Sequence, residues 1–272
     1  MIMSKLRISL VQTTLHWEDK KANLDMLQKK ILAIPDKTEL IILPEMFSTG
    51  FSMEKESLAE TMNGPTIEWM RNTATEKNTI LTGSIIARED RDGEPVFYNR
   101  LIWMLPNGEF GYYDKRHLFA FGKEDQHYSA GEKRLIASVN GWKINLQICY
   151  DLRFPVWLRQ FTGIEPGSGP EYDLLIVVAN WPSARSLAWR TLLQARAIEN
   201  QCYVAGVNRT GSDGKGLQYA GESMIIGPLG EPIKILGAEE EVFSHTLDRE
   251  KLEEARMKFP FWRDSDKFFI QS

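Results

Sequence analysis

Cysteine and histidine are scarce in this chain, with two of the first and four of the second among 272 residues. Cys149 and Cys202 can form one disulfide at most, and a non-exported chain of this size needs no such staple, so reduced thiols are expected. His16, His117, His127 and His245 include no pair at metal-ligand spacing, and no paired cysteine motif accompanies them, so no metal is expected. The absence of Gly-x-Gly-x-x-Gly after the first strand argues against a dinucleotide site. Gly211-Ser212-Asp213-Gly214-Lys215-Gly216 resembles a phosphate loop only at a glance, because Gly216 stands where a hydroxyl residue should follow the lysine; it reads as a hairpin turn. No cofactor is expected.

Long runs of one charge or of apolar residues are also missing. Net charge is −4 and the isoelectric point about 5.7, so neither nucleic acid nor an anionic membrane is expected as a partner. No apolar stretch approaches the roughly 20 residues that cross a bilayer. Met1 to Arg7 runs straight into a strand pattern without the charged-then-apolar signature of export, which makes Asn208-Arg209-Thr210 an accidental glycosylation match. The expected location is the cytoplasm.

Hydrophobic residues at 43% and charged residues at 26% suffice for a full core. Strand patterns fall near residues 6–11, 39–43, 80–86, 97–104, 142–148, 173–178, 202–207, 221–226 and 241–246, alternating with helical spacing over 19–33, 65–77 and 184–200. Ile41 to Leu43 and Leu174 to Ala179 are apolar at every position rather than alternating, which indicates sheets covered on both faces and a layered α/β domain. Turn chemistry at Asp90 to Gly93, Pro106 to Gly108, Asn140-Gly141 and Gly227 to Gly230 predicts hairpins, hence a mixed strand order. The stretch from Gly163 to Pro170 reads as a surface excursion. One domain spanning 1–272, without internal repeats, is expected.

Three strand ends carry chemistry. Cys149 closes the run Ile144 to Ile148, Glu45 follows Leu43-Pro44, and Lys115 opens the segment Lys115-Arg116-His117-Leu118-Phe119. Each has a bland reading: a small core filler, a turn cap, a solvated loop charge. Together they supply what amide hydrolysis requires, namely a nucleophile, a base to take its proton, and positive charge where the oxyanion forms. Cys202 opens an apolar strand and reads as buried filler, and His117 as a hydrogen-bonded support rather than a base.

Leu43-Pro44-Glu45, Asp114 to Phe119, Ile148-Cys149-Tyr150-Asp151-Leu152-Arg153-Phe154-Pro155 and Ala195 to Gln201 resemble, in the right order, motifs of the nitrilase superfamily of carbon–nitrogen hydrolases. The resemblance extends from Ile8 to Phe261. It implies a four-layer α-β-β-α sandwich with two mixed sheets, and a Glu45–Lys115–Cys149 triad acting through a thioester. It also implies a second glutamate after the lysine, best matched by Glu124 with Asp125 as competitor, and an oxyanion donor at the Tyr150 backbone N–H. Within the superfamily the chain looks most like bacterial omega-amidases, which release ammonia from 2-oxoglutaramate and related omega-amides.

Such a substrate is a small molecule with a distal carboxylate, for which Arg153 and Arg185 are candidate partners, with salt bridging to Asp151 or Glu199 the plain alternative for Arg153. Phe121, Trp181 and Tyr128 are candidate pocket walls. A different carbon–nitrogen substrate (a nitrile, a carbamoyl amine or a simple aliphatic amide) and a non-enzymatic scaffold are the rival readings. Lys115→Ala is expected to cut turnover while leaving the melting point little changed. Arg256 to Asp264 mixes charge with three large aromatics that must dock on something. The resemblance implies a homodimer with the C-terminal segment, residues 248–272, reaching across; a clasp on the same subunit is the alternative.

Overall fold

The runs that are apolar at every position, Ile41 to Leu43 and Leu174 to Ala179, are also buried at every position. The computed structural model describes residues 4–35, 37–160, 169–266, 268 and 270; most of the excursion expected from Gly163 to Pro170 lies outside them. In chain order the strands are β1 (Lys5–Gln12), β2 (Leu40–Ile42), β3 (Ile80–Arg91), β4 (Glu94–Met104), β5 (Phe110–Asp114), β6 (Ile136–Val139), β7 (Trp142–Ile148), β8 (Leu174–Ala179), β9 (Tyr203–Asn208), β10 (Thr210–Ser212), β11 (Gln218–Ala220), β12 (Met224–Ile226), β13 (Pro232–Ile235) and β14 (Glu241–Asp248). The helices are α1 (Lys20–Leu32), α2 (Lys55–Leu58), α3 (Pro65–Lys77), α4 (Pro155–Leu158), α5 (Ser186–Asn200) and α6 (Arg249–Lys258).

Two six-stranded sheets form, ordered β14-β1-β2-β3-β4-β5 and β13-β12-β9-β8-β7-β6, with β10 and β11 as a separate hairpin. In each sheet the central strands are parallel and the outer ones antiparallel, so both are mixed, as expected. Leu10 and Ile42 face the second sheet and join Ile144, Leu146 and Ile148, whereas their neighbours Val11 and Ile41 pack with Leu27 and Ile31 of α1 and Ile67 and Met70 of α3. Trp189 and Leu193 of α5 cover the second sheet. The order of layers is therefore helix, sheet, sheet, helix. Each fully buried Leu or Ile contributes about 1.5–3 kcal/mol, which makes the paired sheets a stiff frame for whatever their loops carry.

Local chemistry sets the joints. Asp92 and Gly93 (φ 53° and 86°) and Asn140 and Gly141 (φ 51° and 85°) supply the paired positive φ angles that two-residue hairpins require. Asp19 caps α1 by accepting from the Ala22 N–H, and α3 begins at Pro65 and stops at left-handed Asn78. The strand expected over 221–226 starts only at Met224, because Gly221 and Glu222 both adopt positive φ and the Gly221 carbonyl is taken by the Asn208 side chain. The short, partly polar strands β5 and β6, unmarked in the sequence pattern, form the outer edge of each sheet.

Arg256, Phe259 and Trp262 hydrogen-bond to residues of their own chain. Arg256 pairs with Asp173 at 2.9 Å and donates to the Tyr172 and Gln201 carbonyls, while the Gln201 amide holds the Phe259 carbonyl and the Trp262 N–H. Of the three aromatics, Phe259 and Trp262 are half-buried and Phe261 is exposed.

Candidate active site

Glu45, Cys149 and Asn180 follow the carboxyl ends of β2, β7 and β8, all parallel strands, where open α/β sheets present their ligand sites. After Glu45 the chain turns through Met46 (φ 43°), whose N–H bonds the Ser84 hydroxyl on β3. Lys115 leaves β5 beside Asp114, which Arg100 grips through two nitrogens at 2.6 and 2.8 Å. Its carbonyl accepts from the Gly131 N–H; a Cβ on Gly131 would sit 2.1 Å from the Asp114 carbonyl oxygen, so the approach requires glycine.

Cys149 itself adopts φ 43°, a strained conformation for a residue with a side chain. Buried Asp151 holds that turn in place. One of its oxygens accepts from the Ile148 N–H and the Tyr113 hydroxyl, the other from the His117 backbone N–H and ring Nδ1. This carboxylate thereby joins the cysteine turn to the lysine loop.

At the floor, Lys115 Nζ lies 2.9 Å from Glu45 Oε1 and 3.0 and 2.9 Å from the two Glu124 oxygens. All three side chains are fully buried. Asn99 Nδ2 donates to Glu45 at 2.8 Å and to Glu124 at 3.0 Å, the Asn180 N–H donates to Glu45 Oε2 at 2.8 Å, and the Phe119 N–H donates to Glu124 Oε2 at 2.6 Å. Cys149 lies near enough to Glu45, Lys115 and Glu124 for their charges to act on its thiol, and the residue keeps part of its surface open to the cavity.

Electrostatics follow from that packing. Burial alone would lower the Lys115 pKa, but the Glu124 and Glu45 carboxylates outweigh it and hold the ammonium above its ordinary range. Burial pushes Glu124 up, opposed by Lys115 and reinforced by Glu45. Burial also pushes the Cys149 thiol well up, and Glu45 adds to this while Lys115 opposes it. The resting sulfur is a thiol beside a carboxylate able to take its proton, so the arrangement can perform nucleophilic attack with concerted proton transfer.

Above the floor opens a cavity of about 240 Å³. Arg153 and Arg185 line it, stacked 4.9 Å over Trp181 and 5.3 Å over Phe119. Neither makes an ion pair among the described residues; Asp151 is engaged with Tyr113 and His117, and Glu199 pairs with Arg196. The β10–β11 hairpin closes one side with Asp213, Lys215 and Tyr219. Asp213 fixes the turn by accepting from the Lys215 and Leu217 N–H groups and the Tyr219 hydroxyl. At the tip, a Cβ on Gly214 would lie 2.4 Å from the Trp17 ring, so glycine allows the hairpin to seat there.

Residues 7–257 match the family model for carbon–nitrogen hydrolases. The chain belongs to the carbon–nitrogen hydrolase family. The hydrolase is 43% identical over 269 residues to the omega-amidase YafV of Escherichia coli, covering 98% of this chain and 99% of that one. It is 32% identical over 266 residues to a 2-oxoglutaramate amidase of Bacillus subtilis, covering 97% and 98%. Its fold superposes, with a TM-score of 0.95 and 45% identity over 99% of this chain and 100% of the other, on a carbon–nitrogen hydrolase superfamily protein from Xanthomonas campestris that carries an arsenic adduct in its active site.

The structure of the hydrolase brings Glu45, Lys115, Cys149 and Glu124 together and leaves Asp125 exposed. Phe121, Trp181, Arg153, Arg185 and Tyr150 line the cavity. Tyr128 does not; it packs behind the floor with Met46, Leu58, Ile86 and Phe97, its hydroxyl donating to the Ser52 carbonyl. The left-handed Lys123 (φ 62°) turns the chain so that Glu124 enters the site while Tyr128 backs it. Cys202 is buried and His117 hydrogen-bonds to Asp151, both as expected, and the His117 ring also stacks 3.8 Å from Phe154.

Sequence reasoning missed Asn99, Asn180 and the hairpin residues. For Asn99 the available signal was an amide, next to Arg100, inside the mostly hydrophobic and aromatic stretch Val96 to Met104, and its buried Oδ1 has no hydrogen-bond partner. An orphaned buried acceptor costs about 1–3 kcal/mol.

Proposed function

We propose that this hydrolase removes ammonia from the terminal amide of small omega-amides such as 2-oxoglutaramate, through a thioester on Cys149. The observation that carries the reading is the joint burial of Lys115 and Glu45, 2.9 Å apart, with Lys115 and Cys149 both lining the cavity. The 2-oxoglutaramate and omega-amide activities named for its relatives in Bacillus subtilis and Escherichia coli support the substrate class.

Glu45 takes the Cys149 proton as sulfur attacks the amide carbon, and the resulting oxyanion sits between Lys115 Nζ and the Tyr150 N–H, in the first turn after β7 where backbone donors lack helical partners. One such donor lowers a barrier by roughly 3–4 kcal/mol. Collapse expels ammonia, which takes its proton back from Glu45. Water then attacks the thioester with Glu45 again as base, giving the free carboxylic acid and regenerating the thiol. Glu124 fixes the lysine. Amide plus water becomes acid plus ammonia, and no further reactant is consumed.

Arg153 and Arg185 receive the distal carboxylate, for which guanidinium forks are well shaped, with Lys215 adding positive charge from the hairpin and Trp181 and Phe121 forming apolar walls. A cavity of about 240 Å³ suits a short linear molecule, since pockets for drug-sized ligands measure roughly 300–1,000 Å³. The same reading places the protein in the cytoplasm, in keeping with its two free cysteines, and makes it a homodimer, to be checked by light scattering. An ammonia-release screen over omega-amides, simple amides, nitriles and carbamoyl compounds tests the substrate. Omega-amides bearing a distal carboxylate should be turned over best; preference for a nitrile or an uncharged amide would overturn the proposal.

A further inference from the structure

Two carboxyl groups converge on a single ammonium at the cavity floor, so with both ionised Glu45, Glu124 and Lys115 carry one uncompensated negative charge, every member being fully buried. The remaining stabilisation comes from neutral donors. The Asn180 and Phe119 N–H groups each serve one carboxylate from outside, whereas Asn99 stands between them and gives one amide hydrogen to Glu45 Oε1 and the other to Glu124 Oε1. The backbone carbonyl of Asn99 also accepts the Lys115 N–H at 3.0 Å. Its Oδ1 is left without a partner, so the two carboxylates alone fix the orientation of the amide. Asn99 thus touches all three charged residues while lying outside the cavity lining.

We propose that Asn99 is a positioning residue that keeps Glu45 and Glu124 ionised together, and so keeps Glu45 available as the base. The inference rests on the catalytic reading of Glu45, Lys115 and Cys149 given above. Among the described residues, the titratable groups facing the pair are Lys115 from the loop after β5, the Cys149 thiol from the end of β7, the Tyr128 hydroxyl behind Glu124, which is committed to the Ser52 carbonyl, and the Tyr219 hydroxyl of the hairpin, which is committed to Asp213. None of these replaces the two amide hydrogens. Without them one carboxylate takes up a proton, and like charges at such distances favour that outcome.

The test is Asn99→Leu, of similar volume without donors, compared with wild type, Glu124→Gln and the double variant. Circular dichroism should show Asn99→Leu folded, with KM changed less than about threefold. Near pH 6 its kcat should fall roughly 100-fold, and the acid limb of its rate profile should move up by about two units. Adding Glu124→Gln should cancel the shift, since one carboxylate remains. A difference infrared spectrum should show a protonated-carboxyl carbonyl band in Asn99→Leu near neutral pH, absent from wild type and from the double variant. If Asn99→Leu does not fold, Asn99→Ser carries the same test through its single hydroxyl donor, with a smaller upward shift. A fall in kcat equal at all pH values, with no infrared band, would overturn the proposal and make Asn99 purely structural. Wild type inert towards omega-amides, or Cys149→Ala still active, would instead defeat the catalytic reading, and the infrared band would then decide the role of Asn99 by itself.

Discussion

At the floor of the cavity every charge is buried and held within 3.0 Å of a partner, whereas at the rim Arg153, Arg185 and Lys215 carry their charges without an ion pair among the described residues. Of the floor groups, Glu45 and Lys115 follow strand ends and Glu124 opens a 3-10 turn; the rim groups come from two 3-10 turns and a hairpin. Buried, fully engaged charges are preorganised and fix what kind of bond is broken. Uncommitted guanidinium groups beside aromatic faces are free to pair with an anionic ligand and fix which molecule is held. Damage to the floor should therefore appear in kcat and in stability, and damage to the rim in KM.

Cys149→Ala removes the nucleophile and should lower ammonia release by at least about 1,000-fold, with the melting temperature and circular dichroism preserved. A variant with undiminished turnover would break the division at its root. Lys115→Ala comes next, and here burial revises what the sequence alone suggested. Turnover should fall by roughly 100–1,000-fold, but two carboxylates are left unpaired inside the protein, so urea unfolding should also register a loss of about 3–5 kcal/mol. An unchanged midpoint would mean that water reaches the floor.

At the rim, Arg153→Ala and Arg185→Ala should each raise KM by roughly 10–100-fold, the weight of a charge-assisted hydrogen bond, with kcat nearly intact. Equal losses in kcat would show that the rim also shapes the transition state. Glu124 gives a smaller, pH-dependent effect. Its folded-state pKa lies above 4.5, so the folded protein holds that proton longer than the unfolded chain does. The stability of wild type minus that of Glu124→Gln should accordingly decline as pH rises past 4.5, and level off above the folded pKa. Smallest of all, Lys215→Ala should raise KM up to about fivefold, an effect that fades at high salt because the side chain is exposed.

The same division governs what could be read from the chain itself. Glu45 and Cys149 were legible because each follows a run whose hydrophobicity marks a strand, Lys115 through the motif Asp114 to Phe119, and Glu124 because it sits at a short interval beyond the lysine. Asn99 was not, since it lies inside β4 and meets its partners through sheet pairing and across loops, at sequence separations of 54 and 25. The hairpin of Asp213 and Lys215 was recognised as a turn, yet nothing local shows that the Trp17 contact and the β10–β11 pairing fold it over the cavity. Tyr128 was misjudged because nearness in sequence to Glu124 says nothing about which side of a 3-10 turn a ring takes. Strand existence followed from apolar runs, while edge strands and the late start of β12 depended on pairing and on two positive φ angles.

The most direct test is intact-protein mass spectrometry, with peptide mapping, after acid quench of enzyme turning over 2-oxoglutaramate. The thioester reading predicts a mass gain equal to the acyl group, located on the peptide bearing Cys149 and absent from Cys149→Ala. Steady ammonia release with Cys149 unmodified, or an acyl group on another residue, would contradict it.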